Sequence, residues 1–302
     1  MTTDLEGLFH EAGCVGSVHA VRLSDGAEAG HDPDRPWVLA SVVKVPIALE
    51  FYARADSGAL DPSATVTLTP GHGTPGPVGT SQFRDPAVVS LRDLSFLMLT
   101  ISDNAATDAI TTAVGVDAVN RRLHTVGCRD TLVTEDLRSM LDGVAHDLGH
   151  DTYDQLLAAQ RGDLGPRAQA AATDQDRIDH CRALDPARTS RTTARDATRL
   201  LAAVCEGTAA SPAACTALLD VMAQQVTRRL GSAVPDGGHL AAKSGSLFGR
   251  IRNEIAVVTD PDGETYAVAV LTRAHEPFRG ATRINAAIAA AAATALDQFR
   301  RR

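Results

Sequence analysis

Apolar positions along the chain follow two different rhythms. Leu5, Leu8, Phe9 and Ala12 share one helical face and predict a short N-terminal helix, with Thr3 and Glu6 at capping-box spacing. Residues 16–23 (GSVHAVRL) alternate and predict a strand, closed by the turn Ser24-Asp25-Gly26. The run LASVVKVPIALEFYARADSGAL is too long for a strand. Val42, Val43, Val45, Ile47, Ala48, Leu49 and Phe51 surround its axis, which predicts a helix buried on all sides.

Residues 60–90 are rich in Pro, Gly and Thr and predict a long connection with little regular structure. Leu91, Leu94, Met98 and Ile101 restore helical spacing, and a second helix follows the polar break Ser102-Asp103-Asn104. Residues 140–190 are charged and rich in Ala, Gln and Asp, with turns at Gly162 and Gly165-Pro166. Helices are expected again at 192–206 and 211–225. Two apolar strands at 253–259 and 264–272 flank the turn Asp260-Pro261-Asp262-Gly263. Both faces of these strands are apolar, so helices should cover the sheet on both sides. A last helix at 281–300 presents Ile284, Ile288, Leu296 and Phe299.

Composition narrows the class of protein. The 302 residues are 44% hydrophobic and 22% charged, with a net charge of −8, an ordinary globular balance with a large core. The acidic balance and the lack of a basic block argue against nucleic acid or an anionic membrane as partner. No apolar run reaches the roughly 20 residues a membrane span needs, and no signal-like segment opens the chain. A cytoplasmic, monomeric protein is therefore expected, acting on a small molecule. Five cysteines without a Cys-x-x-Cys pair point to reduced thiols.

The basic residues divide into 27 Arg and 2 Lys. A chain that writes arginine almost everywhere keeps an amine at Lys44 and Lys243. Lys44 closes Ser41-Val42-Val43-Lys44, where helical spacing lets the amine reach the Ser41 hydroxyl and act as its base. The same residues also suit an N-cap serine and a lysine that snorkels to solvent. Ser102-Asp103-Asn104 offers a hydroxyl for proton transfer and an amide for a substrate carbonyl, or simply a helix-to-helix turn capped by Asn104. Lys243-Ser244-Gly245-Ser246 suits a carboxylate on an edge strand, or a surface lysine beside a bulge. Both lysines fall inside motifs, in order, with the tripeptide between them. By average residue usage that coincidence is well under ~1 in 1000.

Ser-x-x-Lys, Ser-Asp-Asn and Lys-Ser/Thr-Gly in this order resemble the signature set of class A β-lactamases and penicillin-binding proteins. The flanking VVSLRDLSFLMLTISDNAATDAI, LAAKSGSLFGRIRNEIAVVTD and TSRTTARDATRLLAAV are similar to that family too, over about residues 5–300. The resemblance implies an α/β plus all-α fold: an antiparallel sheet flanked by the N- and C-terminal helices, with an inserted helical domain. Residues 1–37 and 226–302 would form the sheet domain and 38–225 the helical one, extended by an insert at about 140–190.

The resemblance also implies roles. Ser41 would be acylated, Lys44 would be its base, and Ser102 would pass the proton to the leaving group. Asn104 would contact the substrate amide, and Lys243 with Ser244 would hold a carboxylate. The N–H groups of Ser41 and Ser246 would form the oxyanion hole, and Arg229 or Arg252 would back up carboxylate binding. No cofactor is implied.

One part of the family pattern is missing. Class A enzymes deacylate with a glutamate in a Glu-x-x-Leu-Asn context, and here the stretch reads RDTLVTEDLRSMLDG. Arg138 or Ser139 falls where that glutamate should be, while Glu135 or Asp136 could substitute if the loop is rewound. Efficient β-lactam hydrolysis is therefore not expected. Acylation without turnover, as in a penicillin-binding receptor, is the alternative. In the insert, His146, Asp147, His150 and Asp151 bear metal-ligand side chains, but Gly149 interrupts the spacing and solvated surface is expected instead of a metal site.

Overall fold

The computed structural model describes residues 4–300. Helix α1 (Leu5–Glu11) starts at Asp4, whose carboxylate accepts from Gly7 N at 3.0 Å, so aspartate makes the cap. The expected Thr3 lies outside the described residues. Strand β1 (Cys14–Arg22) pairs with β2 (Glu28–His31), and β3 (Trp37–Val38) leads into the helical block.

The long apolar run does not start as one α-helix. A 3-10 turn over Ala40–Val43 precedes α2 (Lys44–Asp56), in which Lys44 through Phe51 are all buried. Within the stretch expected to be irregular, β4 (Thr65–Leu68) and β5 (Ala87–Ser90) pair as a two-stranded ribbon. The Pro- and Gly-rich residues between them hid its alternation. Then come α3 (Leu91–Thr100), α4 (Asn104–Val114) and α5 (Val116–Val126).

The unreadable stretch is helical: α6 (Leu137–Asp147), α7 (Tyr153–Arg161), α8 (Pro166–Ala172) and α9 (Gln175–Asp179). Val144, Leu148, Leu156, Ala159, Ala172 and Cys181 give it a small core of its own, with alanines doing much of the packing. Ion pairing of Arg250 with Asp179, and an Arg273 bond of 2.6 Å to Leu184 O, tie the segment to the sheet. Short β6 (Arg191–Thr192) pairs with β3, and α10 (Ala194–Cys205) and α11 (Pro212–Met222) complete the block.

Strands β7 (His239–Leu247), β8 (Ile251–Thr259) and β9 (Thr265–Ala274) finish a five-stranded antiparallel sheet of order β2-β1-β9-β8-β7, and α12 (Ala281–Arg300) closes the chain. Alternation along the strands splits the core in two, as side chains of a strand must. Ile255, Val257, Ala267 and Ala269 face the helical block, whereas Ala256, Val258, Val268 and Val270 face α1 and α12. Burial of both faces explains why the strands read as nearly continuous apolar runs. All five cysteines are unpaired. Among the described residues no helix is long and apolar enough to cross a membrane.

Candidate active site

The cleft with the motif residues opens between β7 and the helical block. It is about 360 Å³ in volume and is lined by Ser41, Ser102, Asn104, Glu135, Asp136, Arg229, Ser244 and Ser246 among others. Three segments distant in sequence meet there because α2 crosses the block beside α4 and the 3-10 turn abuts β7.

Lys44 lies behind the cleft lining, among the motif side chains, with no solvent exposure. Its Nζ lies 3.1 Å from Ser41 Oγ, 3.0 Å from Ser102 Oγ, 2.8 Å from Ser102 O and 3.0 Å from Asn104 Oδ1. Burial drives the amine down to about 7, against an upward pull from Asp103 and Asp108. Two of the four neighbours can only accept. Asn104 Nδ2 donates to Pro75 O at 2.9 Å, which turns Oδ1 toward the lysine. A neutral amine has two hydrogens and one lone pair. Ser102 O and Asn104 Oδ1 take the hydrogens, and the lone pair is left for a hydroxyl.

Backbone geometry sharpens the placement. Ala40 (φ 47°) and Ser102 (φ 66°) both adopt the left-handed conformation, at about 1–3 kcal/mol each for residues other than glycine. One strained residue immediately precedes Ser41; the other carries the second hydroxyl. Asp103 holds the Ser102 turn in place. Fully buried, it caps α4 by accepting from Ala106 N at 3.1 Å, and it accepts from Thr80 N at 2.6 Å. The capping residue is therefore Asp103, with Asn104 already the first residue of the helix. One turn on, Asp108 accepts from Leu137 N and Arg138 N, both at 2.8 Å, and fixes the start of the insert against α4.

On the opposite wall, β7 is the edge strand. Ser244 N donates to the Gln225 side chain at 2.7 Å, not to β8, so it points to the free edge. N–H groups alternate along an antiparallel strand, so Ser246 N–H points the same way. Gly245 allows close approach: a Cβ there would meet Leu39 O and Ser41 N at 3.1 Å.

The structure brings Ser41, Lys44, Ser102, Asn104, Ser244, Ser246 and Arg229 together, and treats the other two residues differently. Lys243 does not line the cleft. Its amine is fully buried on Gln225 Oε1 and Ser244 O, each at 3.0 Å, and burial lowers its pKa well below the ordinary lysine value. Arg252 also does not line the cleft; its Nε donates to Asn285 Oδ1 at 3.0 Å. Arg229 does, with Nη2 donating to Ser246 Oγ at 2.6 Å and Nη1 to Gly245 O at 2.8 Å. Burial, and secondarily the charge of Arg252, brings Arg229 down to about 10.

Of the acidic residues weighed from sequence, Glu135 and Asp136 line the cleft. Asp136 is committed to capping α6 through Ser139 N at 2.7 Å, whereas burial raises the half-buried Glu135. Arg138 instead faces Asp142 and Asp154, at 3.1 and 2.6 Å. In the insert, His146 bonds Asp151 O at 2.8 Å and Asp147 pairs with Arg182 at 2.9 Å. Among the described residues no group of three or more His, Cys, Asp or Glu is arranged to hold a metal ion. Sequence reasoning missed Gln225 and the fully buried Glu254, which burial pushes up to about 7. Neither residue belongs to a motif, and only the fold brings them to Lys243.

An antiparallel sheet joined to a helical block, with a serine, a buried lysine and a second serine at the junction, is the arrangement of the β-lactamase-like serine hydrolase superfamily. The chain belongs to the β-lactamase enzyme family, whose model matches residues 1–299. It is 30% identical to the β-lactamase regulatory protein BlaB of Streptomyces cacaoi, over 98% of this chain and 96% of the relative. Among solved structures, a β-lactamase from Sphaerobacter thermophilus is 26% identical with a TM-score of 0.74, covering 98% of both chains. The class A β-lactamase of Mycobacterium abscessus shares the fold at 19% identity, with a TM-score of 0.76 and 99% of both chains covered.

Proposed function

We propose that the protein is a serine acyl-hydrolase or acyltransferase that acts on a lactam, amide or ester through an acyl-enzyme at Ser41. The observation that carries this reading is the Lys44 amine, held 3.1 Å from Ser41 Oγ and 3.0 Å from Ser102 Oγ and brought down to about 7 by burial. Near neutral pH a large share of such an amine is unprotonated and can take the Ser41 proton as the hydroxyl attacks the carbonyl carbon. The proton then has a short path through Lys44 to Ser102 Oγ and on to the departing nitrogen or oxygen. The oxyanion faces the N–H groups of Ser41 and Ser246. Resolution of the ester needs water and a base, and Glu135 is the carboxyl best suited. It lines the cleft, and its raised pKa makes it a better proton acceptor than an ordinary glutamate.

A second reading is a sensor that is acylated and not released. It is favoured by the relative from Streptomyces cacaoi, which bears the name of a regulatory protein. One experiment tests both. The purified protein is incubated with a chromogenic cephalosporin and with activated esters, and intact mass is followed over time. Steady turnover lost in Ser41→Ala supports the hydrolase, and a lasting one-to-one adduct supports the sensor. No turnover and no adduct on Ser41 would overturn both.

A further inference from the structure

The donors of Lys243 and Ser244 already have a partner inside the protein. Gln225 Oε1 lies 3.0 Å from Lys243 Nζ, 2.7 Å from Ser244 N and 3.4 Å from Ser244 Oγ. A single carboxamide oxygen thus faces an amine, a backbone amide and a hydroxyl, the donor set that an anionic oxygen seeks. Gln225 is 2% exposed and held from behind as well. Its Nε2 donates to Thr227 O and, at 3.4 Å, to Glu254 Oε1, while Glu254 Oε2 accepts from Leu230 N at 2.5 Å. The next residue is pinned too, because Val226 N donates to Thr100 O at 3.0 Å. Swinging the carboxamide off Lys243 therefore also breaks its bonds to Thr227 O and Glu254.

Arg229 is placed differently. It is the one basic side chain on the cleft wall among the described residues. Its Nη2 carries two hydrogens and makes one bond, to Ser246 Oγ at 2.6 Å, whereas its Nε is buried and does not reach the cleft. A guanidinium with a donor to spare, next to two serine hydroxyls, suits a carboxylate.

We propose that Gln225 is a specificity-determining residue: it occupies Lys243 and the Ser244 amide from within and reaches Ser244 Oγ only at 3.4 Å, leaving Arg229, Ser246 Oγ and that loosely held hydroxyl to read the acid group of the substrate. The carboxylate that the family resemblance implies beside the scissile carbonyl is then read by a guanidinium in place of the covered lysine. This inference rests on the acyl-transfer reading of the cleft, so its test is arranged to need no acylation.

Calorimetry on the Ser41→Ala protein compares an N-acyl amino acid with its methyl ester, while acylation of the native Ser41 is scored separately by mass. Adding Gln225→Ala frees Lys243 and is expected to tighten the acid about tenfold, with the ester moving less than about twofold. Gln225→Asn shortens the arm and should shift binding the same way, which covers the case in which alanine fails to fold. Arg229→Ala, with Gln225 in place, should weaken the acid by about tenfold. Acid affinity that stays level or falls in the folded Gln225 variants overturns the proposal, as does an Arg229→Ala protein that still prefers the acid. Tighter acid binding without any adduct on the native Ser41 would sink the acyl-enzyme reading and leave the role of Gln225 standing.

Discussion

Lys44 Nζ lies 3.1 Å from Ser41 Oγ, one turn apart at the junction of a 3-10 turn and an α-helix, and the amine has no solvent exposure. The proposed acylation depends on an amine that can lose its proton. Lys44→Arg should therefore slow acylation of Ser41 by roughly 10²–10⁴-fold, since a guanidinium stays charged and is too broad for the space. Stopped-flow acylation with an activated ester checks this. A variant within about threefold of the native rate would remove Lys44 as the base.

The pH dependence of acylation follows from the same amine. Its active form is neutral, and burial lowers its pKa to about 7 from 10.5. The rate should rise with pH through about 7 and level off above it, instead of climbing toward 10. The same depression has a stability consequence of fixed sign. Between about 7 and 10.5 the unfolded chain binds the extra proton, so Lys44 contributes stability that grows as pH rises across that window.

Gly245 sets how closely β7 approaches the nucleophile. A Cβ there would meet Leu39 O and Ser41 N at 3.1 Å and Val42 N at 3.2 Å, all backbone atoms that cannot rotate away. Gly245→Val should lower kcat by about tenfold or more while substrate binding changes little, because the oxyanion donors move apart. Steady-state kinetics on one ester decides it; an effect confined to KM contradicts the argument.

Glu135 is testable as the base for deacylation. Glu135→Gln should leave the acylation rate within about twofold and slow release by roughly 10²-fold or more, so that the Ser41 adduct accumulates. Because burial raises the Glu135 pKa, the native release step should fall off with acid at a higher pH than an ordinary glutamate would give. Time-resolved intact mass reads both. Unchanged release in the variant would assign the water to another group.

Asp103 links function to folding. Its buried carboxylate accepts two backbone N–H bonds, from Ala106 at 3.1 Å and Thr80 at 2.6 Å, next to the strained Ser102. Asp103→Ala loses the cap of α4 and leaves Thr80 N without its acceptor, at a cost of about 2–4 kcal/mol. Urea unfolding should show that loss, along with slower acylation as the Ser102 turn relaxes. A change under about 0.5 kcal/mol would mean that the turn is held elsewhere.

The sequence carried the three motifs of the proposed acylation site because they are written in short-range spacing and in a compositional contrast. Ser41 and Lys44 are near neighbours along one turn, the tripeptide holds its own order, and an arginine-rich chain keeps its two lysines inside motifs. Strands 253–259 and 264–272 and the closing helix 281–300 were legible for a related reason: long apolar patterns leave little choice of element. The rest depends on residues far apart in the chain. Nothing in Lys243-Ser244-Gly245-Ser246 says that Gln225 will cover its amine, or that Arg229 will be the cation left on the wall.

The insert was opaque because alanines make up half of its buried core and space its few large apolar residues, Val144, Leu148 and Leu156, far apart. The start of α2 was misread because its apolar run hides the 3-10 turn. What the sequence determined by itself was the family, the fold class and the pairing of Ser41 with Lys44, all encoded locally. What only the tertiary structure decided was which donors face the cleft. Hydrogen bonds between segments such as Gln225 and Lys243 form or fail according to packing, and packing leaves no periodic trace in the order of residues.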